Sequence, residues 1–143
     1  MDAPLDRVAA LPLLAHLEPA SRDEVSRAGT VRSVARGDIL FHEGSPADAM
    51  YGVLAGQVKL VRYTARGKEL LLHLVRGGQT FAEAALFGSR VYPATAEVLE
   101  TGEIWELRHD RLVELVRRSP ELGLALAGSV AVWARRLVNT LEL

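Results

Sequence analysis

The sequence predicts a mainly β fold, a roll or barrel, flanked by helices at both ends. Three observations carry this. Between Thr30 and Leu107, short apolar runs are split by glycine turns at near-even spacing, the pattern of a β-roll or barrel. The stretches before Gly29 and after Asp110 have helical character instead. The length of 143 residues and the hydrophobic share of 49% suit one domain with a self-sufficient core.

The elements follow in order. Residues 4–17, PLDRVAALPLLAHL, read as short helical pieces broken at Pro12. Glu18-Pro19-Ala20-Ser21 opens a second helix, with Ser21 as its expected N-cap and Glu24 completing a capping box. That helix should stop near Ala28-Gly29, since glycine suits the position just past a helix end. Strands are expected at Thr30 to Ala35, Ile39 to His42, Ala49 to Ala55 and Gln57 to Thr64, with Ala55-Gly56-Gln57 as a tight turn. A hairpin turn at Ala65-Arg66-Gly67-Lys68 leads to Glu69 to Val75, which ends at Arg76-Gly77-Gly78. Phe81 to Pro93 lacks strand alternation and holds one turn of helix, roughly Glu83 to Phe87. Strands resume at Ala94 to Leu99, turn at Thr101-Gly102, and continue from Glu103 to Leu107.

Helical periodicity returns after Asp110, the expected N-cap, with an apolar stripe of Leu112, Val113, Leu115 and Val116. Ser119-Pro120 breaks it, and Pro120 suits the first position of a last helix. Along that helix Leu122, Leu126, Val130, Trp133, Leu137 and Leu141 recur at spacings of four and three, a coiled-coil-like seam that predicts a homodimer. Leu124, Ala127, Ala131, Val132 and Val138 add apolar surface on other sides, and Gly128 and Ser129 allow close approach of a second helix. The organisation expected is a sensor domain over 1–119 and a dimerisation helix over 120–143. The chain stops at Leu141-Glu142-Leu143 without a capping signal, as if cut within or just after this helix.

Composition excludes several classes. The net charge of −1 lacks the basic excess of a nucleic-acid-binding domain. With no cysteine, disulfides, zinc ribbons and thiolate-held iron–sulfur clusters are ruled out. No signal peptide and no apolar run of ~18 residues is present, so a cytoplasmic protein is expected. An enzyme is not expected: there is no H-x-H pair for a cupin-like metal site, no G-x-S-x-G elbow and no phosphate loop.

The segment Gly78 to Glu97, GQTFAEAALFGSRVYPATAE, is the candidate effector site. Its small residues let a ligand approach the backbone, and Glu83 can accept a hydrogen bond from a sugar hydroxyl. The glycine turns at Gly37, Gly44, Gly56, Gly67 and Gly77-Gly78, then F-A-E-A-A-L-F and Y-P-A-T-A-E, resemble the cyclic nucleotide-binding domain. More narrowly they resemble the sensor domain of CRP/FNR-type transcription regulators, especially the branch of nitric-oxide-responsive denitrification regulators. The resemblance implies an eight-stranded β-roll, also called a double-stranded β-helix or jelly roll, followed by a dimerisation helix. It also implies DNA binding through a C-terminal helix-turn-helix domain absent from this chain.

Carried over residue by residue, the resemblance places the effector cassette at Phe81, Ala82, Glu83, Ala84, Tyr92, Pro93, Ala94 and Thr95. Glu83 matches the glutamate that binds the ribose, and Ala82 stands where cAMP binders have glycine. Tyr92 and Pro93 replace the arginine and serine that hold the cyclic phosphate. Neither offers a positive charge, and Pro93 has no N–H. A buried phosphate without a cation is costly, so cAMP and cGMP are not expected as effectors. Haem, used by some members of that branch, needs an axial ligand, for which His16, His42, His73, His109 and Met50 are the candidates. A cyclic nucleotide-binding module of a channel or kinase is the alternative setting, and a cupin-like metal enzyme a remote one.

Overall fold

The structure is a computed structural model. It describes the backbone of residues 3–141 and the side chains of 4–131. Helices α1 (Ala3–Ala9), α2 (Pro12–Ala15) and α3 (Pro19–Ala28) precede six strands, β1 (Thr30–Val34), β2 (Ile39–Phe41), β3 (Ala49–Tyr63), β4 (Glu69–Arg76), β5 (Gln79–Phe81) and β6 (Thr95–Arg108). Helix α4 (Glu83–Phe87) lies between β5 and β6, and α5 (His109–Arg118) and α6 (Pro120–Leu141) close the chain.

Two long strands form the spine. β3 and β6 run antiparallel along nearly their full length, from Ala49 opposite Arg108 to Val61 opposite Thr95. Each serves two sets of neighbours. The first half of β3 pairs with β5 and the second half with β4. The second half of β6 pairs with β1 and the first half with β2. Counted by halves, the six strands make the eight segments of a jelly roll.

The sequence reading expected turns at Gly56 and Thr101-Gly102; the structure has a bend in a continuous strand at both. The register between β3 and β6 shifts repeatedly between Val53 and Val58, the mark of β-bulges. At this bend the two strands touch. A Cβ on Gly102 would collide with the Ala55 carbonyl, and one on Gly56 with the Glu100 carbonyl. Gly56 also has a left-handed φ of 91°. The same residue type thus marks reverse turns elsewhere and a strand bend here.

Other boundaries differ for identifiable reasons. Ser21 is not an N-cap: α3 begins earlier because Pro19 takes the first helical position after Glu18. Asp110 likewise lies inside α5, which starts after Arg108. Gly29 does follow the end of α3, but its backbone is extended. Its bare Cα instead makes room for the Trp105 indole, which donates to the Ser26 carbonyl at 3.2 Å. The strand β5 has only three residues and went unforeseen beside Gly77-Gly78.

The core is continuous from the roll to the flanking helices. Trp105, Met50, Ile104 and Leu107 from the spine meet Leu11 and Leu14 from the N-terminal segment, Leu112 from α5 and Leu122 from α6, all essentially buried. Burying side chains of this size stabilises by about 1.5–3 kcal/mol each. Helix α6 packs on α2, α4 and α5, and so lies against the segment that carries the candidate site.

Candidate functional site

The site is the crossing from β5 through α4 to β6. Phe81 ends β5 opposite Tyr51. The chain then turns through Ala82, whose φ of 73° is left-handed. That conformation costs a residue with a Cβ roughly 1–2 kcal/mol. A glycine would adopt it freely, which explains the glycine of the cAMP-binding cassette and shows that Ala82 preserves the turn without it. Arg90 is the only other non-glycine residue with positive φ among the described residues, at 62°. Its Nε donates to the Ala47 carbonyl at 3.2 Å, which holds the end of the cassette to the roll.

Glu83 opens α4 and is only 1% exposed. Its Oε2 accepts from Thr80 Oγ1 at 3.1 Å and from Ser129 Oγ on α6. Its Oε1 is buried and has no hydrogen-bond partner. Burial pushes the carboxyl above the usual carboxylate range, against the opposing pull of the bonds from Ser129, its own backbone and Thr80. No arginine or lysine is among the groups that shift it.

Tyr92 is 2% exposed and belongs to the core. Its ring stacks on Phe41 with centroids 3.7 Å apart and planes 9° from parallel. Its hydroxyl donates to the Ala49 carbonyl at 2.7 Å and accepts from the Ala49 N–H at 3.1 Å. Tyr51 and Phe81 stack alongside at 5.4 Å, and Phe41 lies 5.7 Å from Tyr51. Burial raises the phenols of Tyr51 and Tyr92 above their ordinary value, so both are neutral. Four aromatic rings therefore gather beside the cassette.

The cassette residues divide into three groups. Phe81, Glu83, Tyr92, Ala94 and Thr95 are buried, and Thr95 Oγ1 accepts from the Glu43 N–H at 2.9 Å. Ala82 is half-buried, while Ala84 and Pro93 are exposed. Phe81 and Tyr92, which the resemblance places in the effector cassette, pack in the core. The sequence reading missed Thr80, Phe41 and Ser129. Only Thr80 lay near enough in the chain to be suspected.

The expected dimer seam also divides. Leu122 and Leu126 are 0% and 5% exposed in the single chain, so they cover its own core and are not free for a partner. Their burial follows from the packing of α6 on α2, α4 and α5. Val130 is half-buried. The side chains of Trp133, Leu137 and Leu141 lie outside the described residues. Leu124, by contrast, is 76% exposed, and Ala127, Gly128 and Ala131 are exposed on the same face.

The haem candidates stand apart. His16 ends α2 and is exposed, His42 follows β2 and is exposed, His73 is in β4, and His109 opens α5 with its ring 6.2 Å from Phe87. Met50 is fully buried in the core. Each of the five stands on or beside a different element of the fold. Among the described residues, no group of three or more His, Asp or Glu is placed to hold a metal ion. None of the described helices is long and apolar enough to cross a membrane.

A bent β-roll interrupted by a short cassette helix, with a long helix lying on that cassette, is a jelly-roll domain of the cyclic nucleotide-binding type. The chain belongs to the cyclic nucleotide-binding domain family, whose model matches residues 31–119. Its relatives lie among the CRP/FNR-type regulators. It is 35% identical over 103 residues to the cAMP-activated global transcriptional regulator CRP of Haemophilus influenzae, covering 71% of this chain and 44% of that protein. It is 29% identical to the transcriptional activator protein anr of Pseudomonas aeruginosa, covering 78% of this chain and 45% of that protein. The N-terminal domain of a transcriptional regulator from Streptomyces coelicolor superposes with a TM-score of 0.75 at 32% identity, covering 94% of this chain and 96% of that one. The chain spans about half the length of the curated relatives it matches.

Proposed function

We propose that this chain is the effector-sensing domain of a CRP/FNR-type transcription regulator, that it works as a homodimer, and that its effector is not a cyclic nucleotide. The observation that carries the last point is Tyr92. The position that needs a cation for a cyclic phosphate holds a neutral phenol tied at both its donor and its acceptor to Ala49. The nearest arginine in the cassette, Arg90, spends its Nε on the Ala47 carbonyl. Among the described residues, a phosphate entering here meets a buried carboxyl and a neutral phenol where the family's cassette has its cation.

The dimer uses the outer face of α6. Leu124, Ala127, Gly128 and Ala131 recur at helical spacing and are exposed. Gly128 has open space about its Cα, so a second helix can approach closely. The effector acts by favouring one arrangement of the two α6 helices over another. DNA contact belongs to a separate part of the regulator, consistent with the domain's net charge of −1. The domain performs no chemistry on its effector.

Titration calorimetry with cAMP and cGMP tests the effector reading: no saturable heat is expected, and micromolar binding would overturn it. Light scattering tests the dimer. Leu124→Glu should shift a dimeric protein toward monomer, whereas a monomeric parent chain removes this part of the reading.

A further inference from the structure

The hydrogen bond between Ser129 and Glu83 joins two elements separated by 46 positions in sequence. Among the described residues it is the only side-chain hydrogen bond between α4 and α6. It sits where a signal has to pass if the sensor reading above holds, and that reading supplies its purpose but not its geometry. Glu83 is buried, yet only one of its two oxygens is satisfied. A buried acceptor left open is a costly arrangement, so the carboxyl gains from any donor that reaches it. Ser129 is half-buried and has a helical backbone that needs nothing from its hydroxyl. The cassette on the other side is already strained at Ala82, with a second left-handed residue at Arg90.

We propose that the Glu83–Ser129 hydrogen bond is a latch that fastens α6 to the cassette. Ser129 is thus a positioning residue, and Glu83 is the point at which Thr80 of β5 and Ser129 of the long helix share one carboxyl oxygen. A donor that reorients Glu83 releases Ser129. It thereby loosens the inner side of the helix whose outer side carries Leu124 and Gly128. Among the described residues no other side-chain hydrogen bond joins the cassette to α6.

Hydrogen–deuterium exchange on the full chain tests this without any effector, partner or DNA. Ser129→Ala should speed exchange over residues 124–131 and 80–88 by about five- to tenfold, the effect of losing one buried hydrogen bond on local opening. Exchange in β3 and β6 should be unchanged. Ser129→Thr keeps the hydroxyl and should restore slow exchange. Unchanged exchange over 124–131 in Ser129→Ala overturns the latch, and so does equal acceleration in β3 and β6 or failure of Ser129→Thr to rescue. Because cyclic nucleotides are absent from this measurement, its failure leaves the calorimetric test of the sensor reading untouched, and the reverse also holds.

Discussion

The bend of the roll and the effector cassette solve local backbone problems in opposite ways. At the bend, tight geometry falls on glycines: Gly56 takes a left-handed φ and Gly102 yields space to Ala55. In the cassette, left-handed φ falls on Ala82 and Arg90, which carry side chains. The roll buries aliphatic and aromatic side chains, with Trp105 satisfied by Ser26. The cassette buries a carboxyl with an open oxygen. Local rules hold in the scaffold and are broken in the segment proposed to respond, which is where a folded chain tolerates such breaches. Stability resides in the first region, and the proposed response in the second.

The sharpest way to break the contrast is at the bend. Gly102→Ala drives a Cβ into backbone that cannot rotate away, so a loss on the order of 3–5 kcal/mol, or no folded protein, is expected in thermal or urea denaturation. Gly44→Ala is the control. Gly44 also has positive φ, 86°, but open space around it. It should lose at most about 1.5 kcal/mol, the strain of the left-handed position less the entropy that alanine removes from the unfolded chain. Equal losses would mean that backbone conformation and not close approach dictates glycine at the bend.

These two glycines also show what was legible in the sequence. Gly37, Gly44, Gly67 and Gly78 mark turns because left-handed backbone there has no competitor, and all four have positive φ. Gly56 and Gly102 look identical in sequence, yet bend paired strands instead of ending them. What separates the two cases is the partner strand, which lies about 45 residues away and leaves no local signal. The same limit applies at the site. Glu83 was legible as a polar residue at a helix start, but its partner Ser129 was not. Tyr92 was legible as a missing charge. That its ring completes the core depends on Phe41 and Ala49, which only the folded roll brings near.

The next prediction concerns the seam between the two regions. Tyr92→Phe keeps the stacked ring and removes the hydroxyl that bridges both polar groups of Ala49. Leaving those groups short of a partner should cost about 1–3 kcal/mol in chemical denaturation. A neutral effect would mean that Ala49 is satisfied by the strand ladder alone, and that Tyr92 anchors the cassette purely by packing.

The cassette's buried carboxyl makes a prediction in pH. Burial holds the folded-state pKa of Glu83 above its ordinary value of 4.5. Between those two values the folded protein binds the proton more strongly than the unfolded chain. The stability contributed by burying a neutral carboxyl is therefore full at low pH and is lost as pH rises through the raised folded value. Glu83→Gln stays neutral and should escape that loss. Its melting temperature should exceed that of the parent at neutral pH, with the gap closing toward pH 4. A variant less stable at neutral pH would show that the bonds from Thr80 and Ser129 outweigh the cost of burying the charge.

The smallest effect expected lies one residue earlier. Ala82→Gly removes a Cβ from a left-handed position, which relieves roughly 1–2 kcal/mol of strain. It also adds the larger unfolded-state entropy of glycine, which takes back about 0.5–1 kcal/mol. The net gain should lie between about 0 and 1.5 kcal/mol, and thermal melting of the two proteins side by side resolves its size. If the strain is part of the switch, relief should reach further than stability. A cassette relaxed at Ala82 should keep the Glu83–Ser129 bond closed for longer, so exchange over 124–131 should slow along with the rise in melting temperature. A gain in stability with no change at α6 would place the strain in the turn alone and uncouple it from the long helix.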